Sequence, residues 1–155
     1  VGDGNDQDAR EDMFASKVLT YNDNKLLGST STTAVANFDP AHPFYRLISG
    51  LAKVRKEHPA LARGRQVTRT YSDGPGLFSV SRFDPVGGTE YFIAFNTSDK
   101  PITTQSVIGA SATSLETLYG KCPAQVSAPG SVTVELPAFG SMVCRVAPSP
   151  ETTVR

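Results

Sequence analysis

Tryptophan is absent from the 155-residue chain, and cysteine and methionine occur twice each. Without Trp the broadest side chain for stacking on a flat ligand is missing, so any aromatic recognition falls to five Tyr and eight Phe. Net charge is also lacking: 15 basic and 15 acidic side chains cancel, leaving no long-range field to gather nucleic acid or acidic lipid. No basic patch with interleaved aromatics occurs, which argues against nucleic-acid binding. No apolar run approaches the roughly 18 residues of a membrane helix, which argues against a membrane span. A signal peptide is not visible, and the first residue is Val1 rather than Met, so the natural start is expected to have been removed.

Several catalytic signatures are missing too. There is no glycine-rich phosphate loop, no G-x-S-x-G elbow and no C-x-x-C pair. His42 and His58 each precede a proline without metal-ligand spacing, and read as an exposed terminus and a cap contact. Cys122 and Cys144 lie 22 positions apart in strand-like sequence. They are candidates for one disulfide, worth roughly 3 kcal/mol by chain entropy, or Cys144 is a buried free thiol on an apolar strand face. A bridge implies an oxidising compartment, secreted or periplasmic; a free thiol leaves a cytoplasmic location open. The scarcity of lysine and abundance of Ser, Thr and Asn lean toward the former.

What is present begins with an acidic lead-in. "VGDGNDQDAREDMFASKVLTYNDN" holds five Asp, one Glu and three Asn around Arg10 and Lys17. A calcium loop would need oxygen ligands at alternate positions and a closing Glu. Aligning Asp3 first puts Asn5 third and Gln7 fifth, but Asp8 falls where Gly is required and Phe14 where Glu belongs, so the pattern fails. Asp6, Asp8, Glu11 and Asp12 could supply a carboxylate pair, yet an exposed acidic loop cannot desolvate one carboxyl and raise its pKa. The 38-residue opening shows no sustained period, which is unusual inside a compact domain.

The next stretch, "DPAHPFYRLISGLAKVRKEHPAL", predicts the one clear helix, with Asp39 as N-cap and Pro40 in the first turn. Phe44, Leu47, Ile48, Leu51 and Val54 form its apolar face, Arg55 and Lys56 suit its C-terminal dipole, and Pro59 stops it. Such a face needs a surface to lie on, either the following domain or a second copy of the chain. From Arg65 the period changes. "QVTRTYS", "GLFSVSRF", "TEYFIAFNTS", "KPITTQSVI", "TSLETLY", "SVTVELP" and "SMVCRVA" are β-branched or aromatic runs separated by turn residues. Seven such runs predict a mainly β fold: an antiparallel, Greek-key-like sandwich behind an irregular loop and one amphipathic α-helix. The Pro- and Thr-rich end, 149–155, reads as a linker or tail.

"GDGNDQDAREDMF", then "YNDNKLLG", then "FDPAHPFYRLISGLAKVRKEHPAL" resembles the end of the catalytic domain of bacterial α-amylase-family glycoside hydrolases, and "GLFSVSRF" and "TEYFIAFNTS" are similar to the first strands of the sandwich, domain C, that follows it. The resemblance implies that residues 1–62 are the loop after the eighth barrel strand and the eighth helix, and that 63–148 are domain C. It implies an α-glucan substrate for the parent enzyme and places Asp8, Arg10 and Asp12 at the rim of its cleft, Arg10 ordering the loop or touching a sugar hydroxyl. The family's nucleophilic Asp, acid/base Glu and stabilising Asp precede this region, as do most of its calcium ligands. The chain alone is therefore expected to be catalytically silent, without a cofactor, and to have a catalytic barrel as its partner. A rival reading is an independent carbohydrate-binding sandwich, with Tyr21, Tyr71 and Tyr119 as candidate platforms, Tyr45 lying on the helix and Tyr91 in the core. A plain adhesion sandwich leaves the helix and the lead-in unexplained.

Overall fold

The structure, a computed structural model, describes residues 13–22 and 25–148. Asp8, Arg10 and Asp12, the carboxylates considered for a calcium loop, and the 149–155 tail lie outside the described residues. The chain divides into two compact units, Val1–Gly50 and Leu51–Arg155.

In the first unit, regular structure is sparse, as the aperiodic sequence requires. Among its described residues ahead of the helix, a 3-10 turn spans Leu19–Tyr21 and an antiparallel bridge joins Lys25 to Thr32. Backbone hydrogen bonds from Ser16 N–H to Thr33 O (2.8 Å) and from Asn37 N–H to Met13 O (2.7 Å) hold the ends of the loop together. Thr33 is buried, and the Phe14 and Phe38 rings meet edge to face at 4.9 Å.

Helix α1 spans Pro43–Glu57, so it begins three residues later than Asp39 and Pro40 suggest. Asp39 instead accepts the Ala41 N–H (2.8 Å), closing a short Asx turn, and Pro43 takes the first helical position. His42 supplies the N-terminal acceptor: its Nδ1 takes the Phe44 N–H at 3.2 Å, which leaves Nε2–H to donate to Leu27 O at 3.0 Å. That contact packs the imidazole against Gly28, where φ is +76° and a Cβ would lie 3.2 Å from the ring. Pro59 ends α1 but also opens a second short helix, α2, Ala60–Arg63, which the sequence reading does not contain.

Seven antiparallel strands follow: β1 Arg65–Tyr71, β2 Leu77–Phe83, β3 Glu90–Asn96, β4 Ile102–Val107, β5 Ala112–Tyr119, β6 Ser131–Leu136 and β7 Ser141–Pro148. They form a five-stranded sheet in the order β1-β2-β3-β7-β5 and a two-stranded sheet, β4-β6. Every connection after β3 changes sheet, which is what makes the fold a sandwich rather than a meander. The fold class read from the sequence is the one observed.

The main core lies between the sheets. Leu77, Phe92, Ala94, Leu115, Met142 and Cys144 from the larger sheet meet Ile108, Val132, Val134 and Leu136 from the smaller side. In β6 the alternation is visible residue by residue: Val132, Val134 and Leu136 are buried while Glu135 faces out. A second cluster covers the other face of the larger sheet, where Val80, Tyr91, Ile93 and Val143 pack with Ala60, Leu61 and the C-terminal half of α1 through Leu51 and Val54. Asn96 pins one end: its amide donates to Lys100 O (2.7 Å) and Pro137 O (2.8 Å), and its Oδ1 accepts from Ser98.

Candidate functional site

Among the described residues, no three His, Cys, Asp or Glu side chains gather to hold a metal. Among the described residues, the one buried carboxylate is Glu90, and its partners give it a structural role. Arg69 reaches it at 2.6 Å, Ser81 Oγ donates to the same oxygen, and the Gly109 N–H donates to the other at 3.0 Å. Arg69 also donates to Ser81 Oγ (2.7 Å) and lies over the Phe83 ring, as does Arg65. A carboxylate so fully paired ties β1, β2, β3 and the β4–β5 turn together; it has no free lone pair aimed at a ligand.

Cys122 and Cys144 form a disulfide, with Cα atoms 5.9 Å apart. Cys144 is fully buried on the inner face of β7, so the bond anchors the long β5–β6 connection to the core. His58, read as a cap contact, has its N–H on Val54 O (3.0 Å), while its Nδ1 lies 3.3 Å from the Tyr91 hydroxyl. Tyr91 is in the core, as expected. Of the three tyrosines named as platforms, Tyr119 is half-buried in the cluster beneath α1, the Tyr21 side chain lies outside the described residues, and Tyr71 is 69% exposed.

The surface best suited to a partner is apolar. On the outer face of the five-stranded sheet, Leu51, Val54, Phe78, Ile93, Phe95 and Val143 line a groove of about 300 Å3, rimmed by Arg55, Gln66 and Arg82. Phe78 and Phe95, cross-strand neighbours in β2 and β3, stack with centroids 6.3 Å apart and remain about two-fifths exposed. At the rim, Arg82 donates to Gln66 Oε1 (2.9 Å) and Ala60 O (3.4 Å). On α1, Phe44, Leu47 and Ile48 are 47%, 41% and 67% exposed, and no residue of that helix is fully buried. Of the apolar face read from the sequence, Leu51 and Val54 pack in the cluster on the outer face of the larger sheet. The groove was not legible in the sequence, because the inner faces of these strands carry Ser79, Ser81, Glu90 and Asn96, so polarity does not tell the buried face from the open one.

No family model matches the chain. Among curated proteins it is 39% identical, over 99% of its length, to an alpha-amylase of Streptomyces lividans, of which it spans 17%. Solved structures share the fold: a MutB variant in complex with glucose (TM-score 0.55, 24% identity, 75% of this chain and 20% of that one) and the trehalulose synthase MutB from Pseudomonas mesoacidophila MX-45 (TM-score 0.55, 22% identity, 74% and 20%).

Proposed function

We propose that the chain, which matches a segment of a longer alpha-amylase, is the end of an alpha-amylase-family catalytic barrel joined to domain C, and that its own work is structural. Residues 1–62 are then the last barrel loop and helix, and 63–148 the sandwich that supports them. The observation that carries this is the 39% identity across nearly the whole chain, so that the likeness includes the lead-in and the helix as well as the strands. The apolar surface supports it. Phe44, Leu47 and Ile48 on α1, and Phe78 and Phe95 on the sheet, are too large and too many to serve a solvated module, and covering the exposed part of each is worth about 1 kcal/mol. A barrel seated on these surfaces supplies that cover.

The parent in this reading hydrolyses or transfers α-glucosidic bonds by a retaining mechanism, with its nucleophile and acid/base on barrel strands outside this chain. Asp8, Arg10 and Asp12 border its cleft. The disulfide fits export to an oxidising compartment, and no helix among the described residues is long and apolar enough to cross a membrane. The test is to express the parent polypeptide whole and truncated after residue 62. Truncation should lower the unfolding temperature by roughly 10 °C or more and abolish α-glucan hydrolysis on mild heating. An upstream coding region without a barrel overturns the proposal.

A further inference from the structure

The disulfide reaches the surface at one of its two cysteines. Cys144 is fully buried, whereas Cys122 is half-buried and lines a cleft of about 220 Å3 with Lys121, Pro123, Thr133 and Glu135. Thr117 Oγ1 accepts the Cys122 N–H (3.2 Å), which holds that residue at the cleft wall. The volume is too small for a drug-sized ligand and sufficient for one of a few heavy atoms. Its two charges are opposite. Neither the Lys121 ammonium nor the Glu135 carboxylate has an ion-pair or hydrogen-bond partner among the described residues.

We propose that Cys122 is a site of reversible thiol exchange, and that its co-reactant is a small aminothiol, which carries a thiolate and an ammonium on one short chain. Lys121 draws the thiolate and Glu135 the ammonium, so a molecule bearing both charges suits the cleft better than a simple anion or a neutral thiol. Its sulfur attacks Cys122 Sγ. A new S–S bond forms there while the Cys122–Cys144 bond breaks. The electron pair leaves on Cys144 Sγ, and that thiolate takes a proton from water. The aminothiol sulfur is thereby oxidised into a mixed disulfide, and Cys144 is reduced to a thiol. Attack at Cys144 is closed, because the nucleophile would have to enter the core cluster that holds Phe92 and Met142. Burial also disfavours the leaving thiolate, so exchange is slow, and Cys144 expels the adduct once free thiol is withdrawn. While the adduct is in place, the β5–β6 connection keeps only noncovalent links to β5, among them Leu115 N–H to Ala124 O (3.1 Å) and Val126 N–H to Thr113 O (3.2 Å). The modification therefore loosens the segment that covers the β5 edge.

The test treats the folded 155-residue chain with cysteamine, mercaptoethanol or mercaptoethanesulfonate, quenches in acid and locates the adducts by peptide mass spectrometry. Cysteamine is expected on Cys122 in about tenfold excess or more over Cys144. Per thiolate it should react several-fold faster than mercaptoethanol, and the sulfonate more slowly than either. Glu135→Gln, at an exposed position, should remove the advantage of cysteamine, and Lys121→Gln should slow all three thiols. Dialysis against thiol-free buffer should restore the disulfide without an oxidant. Adducts shared equally between the two cysteines, or an adduct that survives dialysis, overturn the site. So does a folded chain that takes no adduct under conditions that modify it in concentrated urea. Equal rates per thiolate for the three reagents overturn the aminothiol assignment.

Discussion

A single glycine sets how closely two layers of the sandwich approach. A Cβ at Gly109 would fall 2.5 Å from Glu90 Oε2. That oxygen cannot swing aside cheaply, because the other carboxylate oxygen is held by Arg69 and Ser81. Gly109→Ala must therefore displace either the β4–β5 turn or a buried ion pair whose members are 16% and 8% exposed. A loss of about 2 kcal/mol is expected from the urea midpoint at unchanged m-value. Gly74→Ala, with nothing within 4 Å of its Cβ, should be nearly neutral in the same assay. If the two variants unfolded together, the carboxylate would have to be free to move. No apolar pattern marks such a position, because the contact joins Gly109 to a carboxylate 19 positions earlier in the chain.

Elements were more legible than their assembly. All seven strands were visible, because β-branched and aromatic runs alternate with turn chemistry that cannot continue a ladder. The strand order was not, since register depends on contacts between distant runs, as where Tyr91 of β3 pairs with Arg145 of β7, and β7 is inserted between β3 and β5. The start of α1 slipped because two X-Pro steps, Asp39-Pro40 and His42-Pro43, offer equivalent caps, and only the His42–Leu27 hydrogen bond selects the second. Of the candidate cleft-rim residues, none falls where the structure can be read. The disulfide belongs to this scale as well, because it fastens the connection between two strands that lie in different sheets. Removing it with Cys122→Ser and Cys144→Ala should cost about 3 kcal/mol, the loop entropy of 22 residues, and lower the unfolding temperature by roughly 10 °C. Dithiothreitol should move the unmodified chain the same way and leave the double variant unchanged; a reagent effect on both would point away from this bond.

At the scale of the whole molecule, the two apolar surfaces decide how the chain behaves when nothing covers them. The sandwich has a complete core between its sheets, and the residues of its own unit that pack on its outer face come from α2 and the second half of α1. Phe78 and Phe95 remain 38% and 40% exposed beside Leu51 and Val54, and the first half of α1 presents Phe44, Leu47 and Ile48. With a formal charge of zero, no electrostatic repulsion keeps copies apart. The isolated chain should therefore self-associate, its sedimentation mass rising above 16.5 kDa as concentration increases. Ile48→Ser and Phe95→Ser should return it toward the monomer without lowering its own stability by more than about 1 kcal/mol, because neither side chain is buried in the single copy. In the parent polypeptide the same two substitutions should act in the opposite sense, destabilising the molecule by about 2–4 kcal/mol, since there the barrel would cover both positions. A chain that stays monomeric to about 0.5 mM, together with a parent indifferent to both substitutions, would mean that these surfaces are adapted to water and that the sandwich carries no barrel.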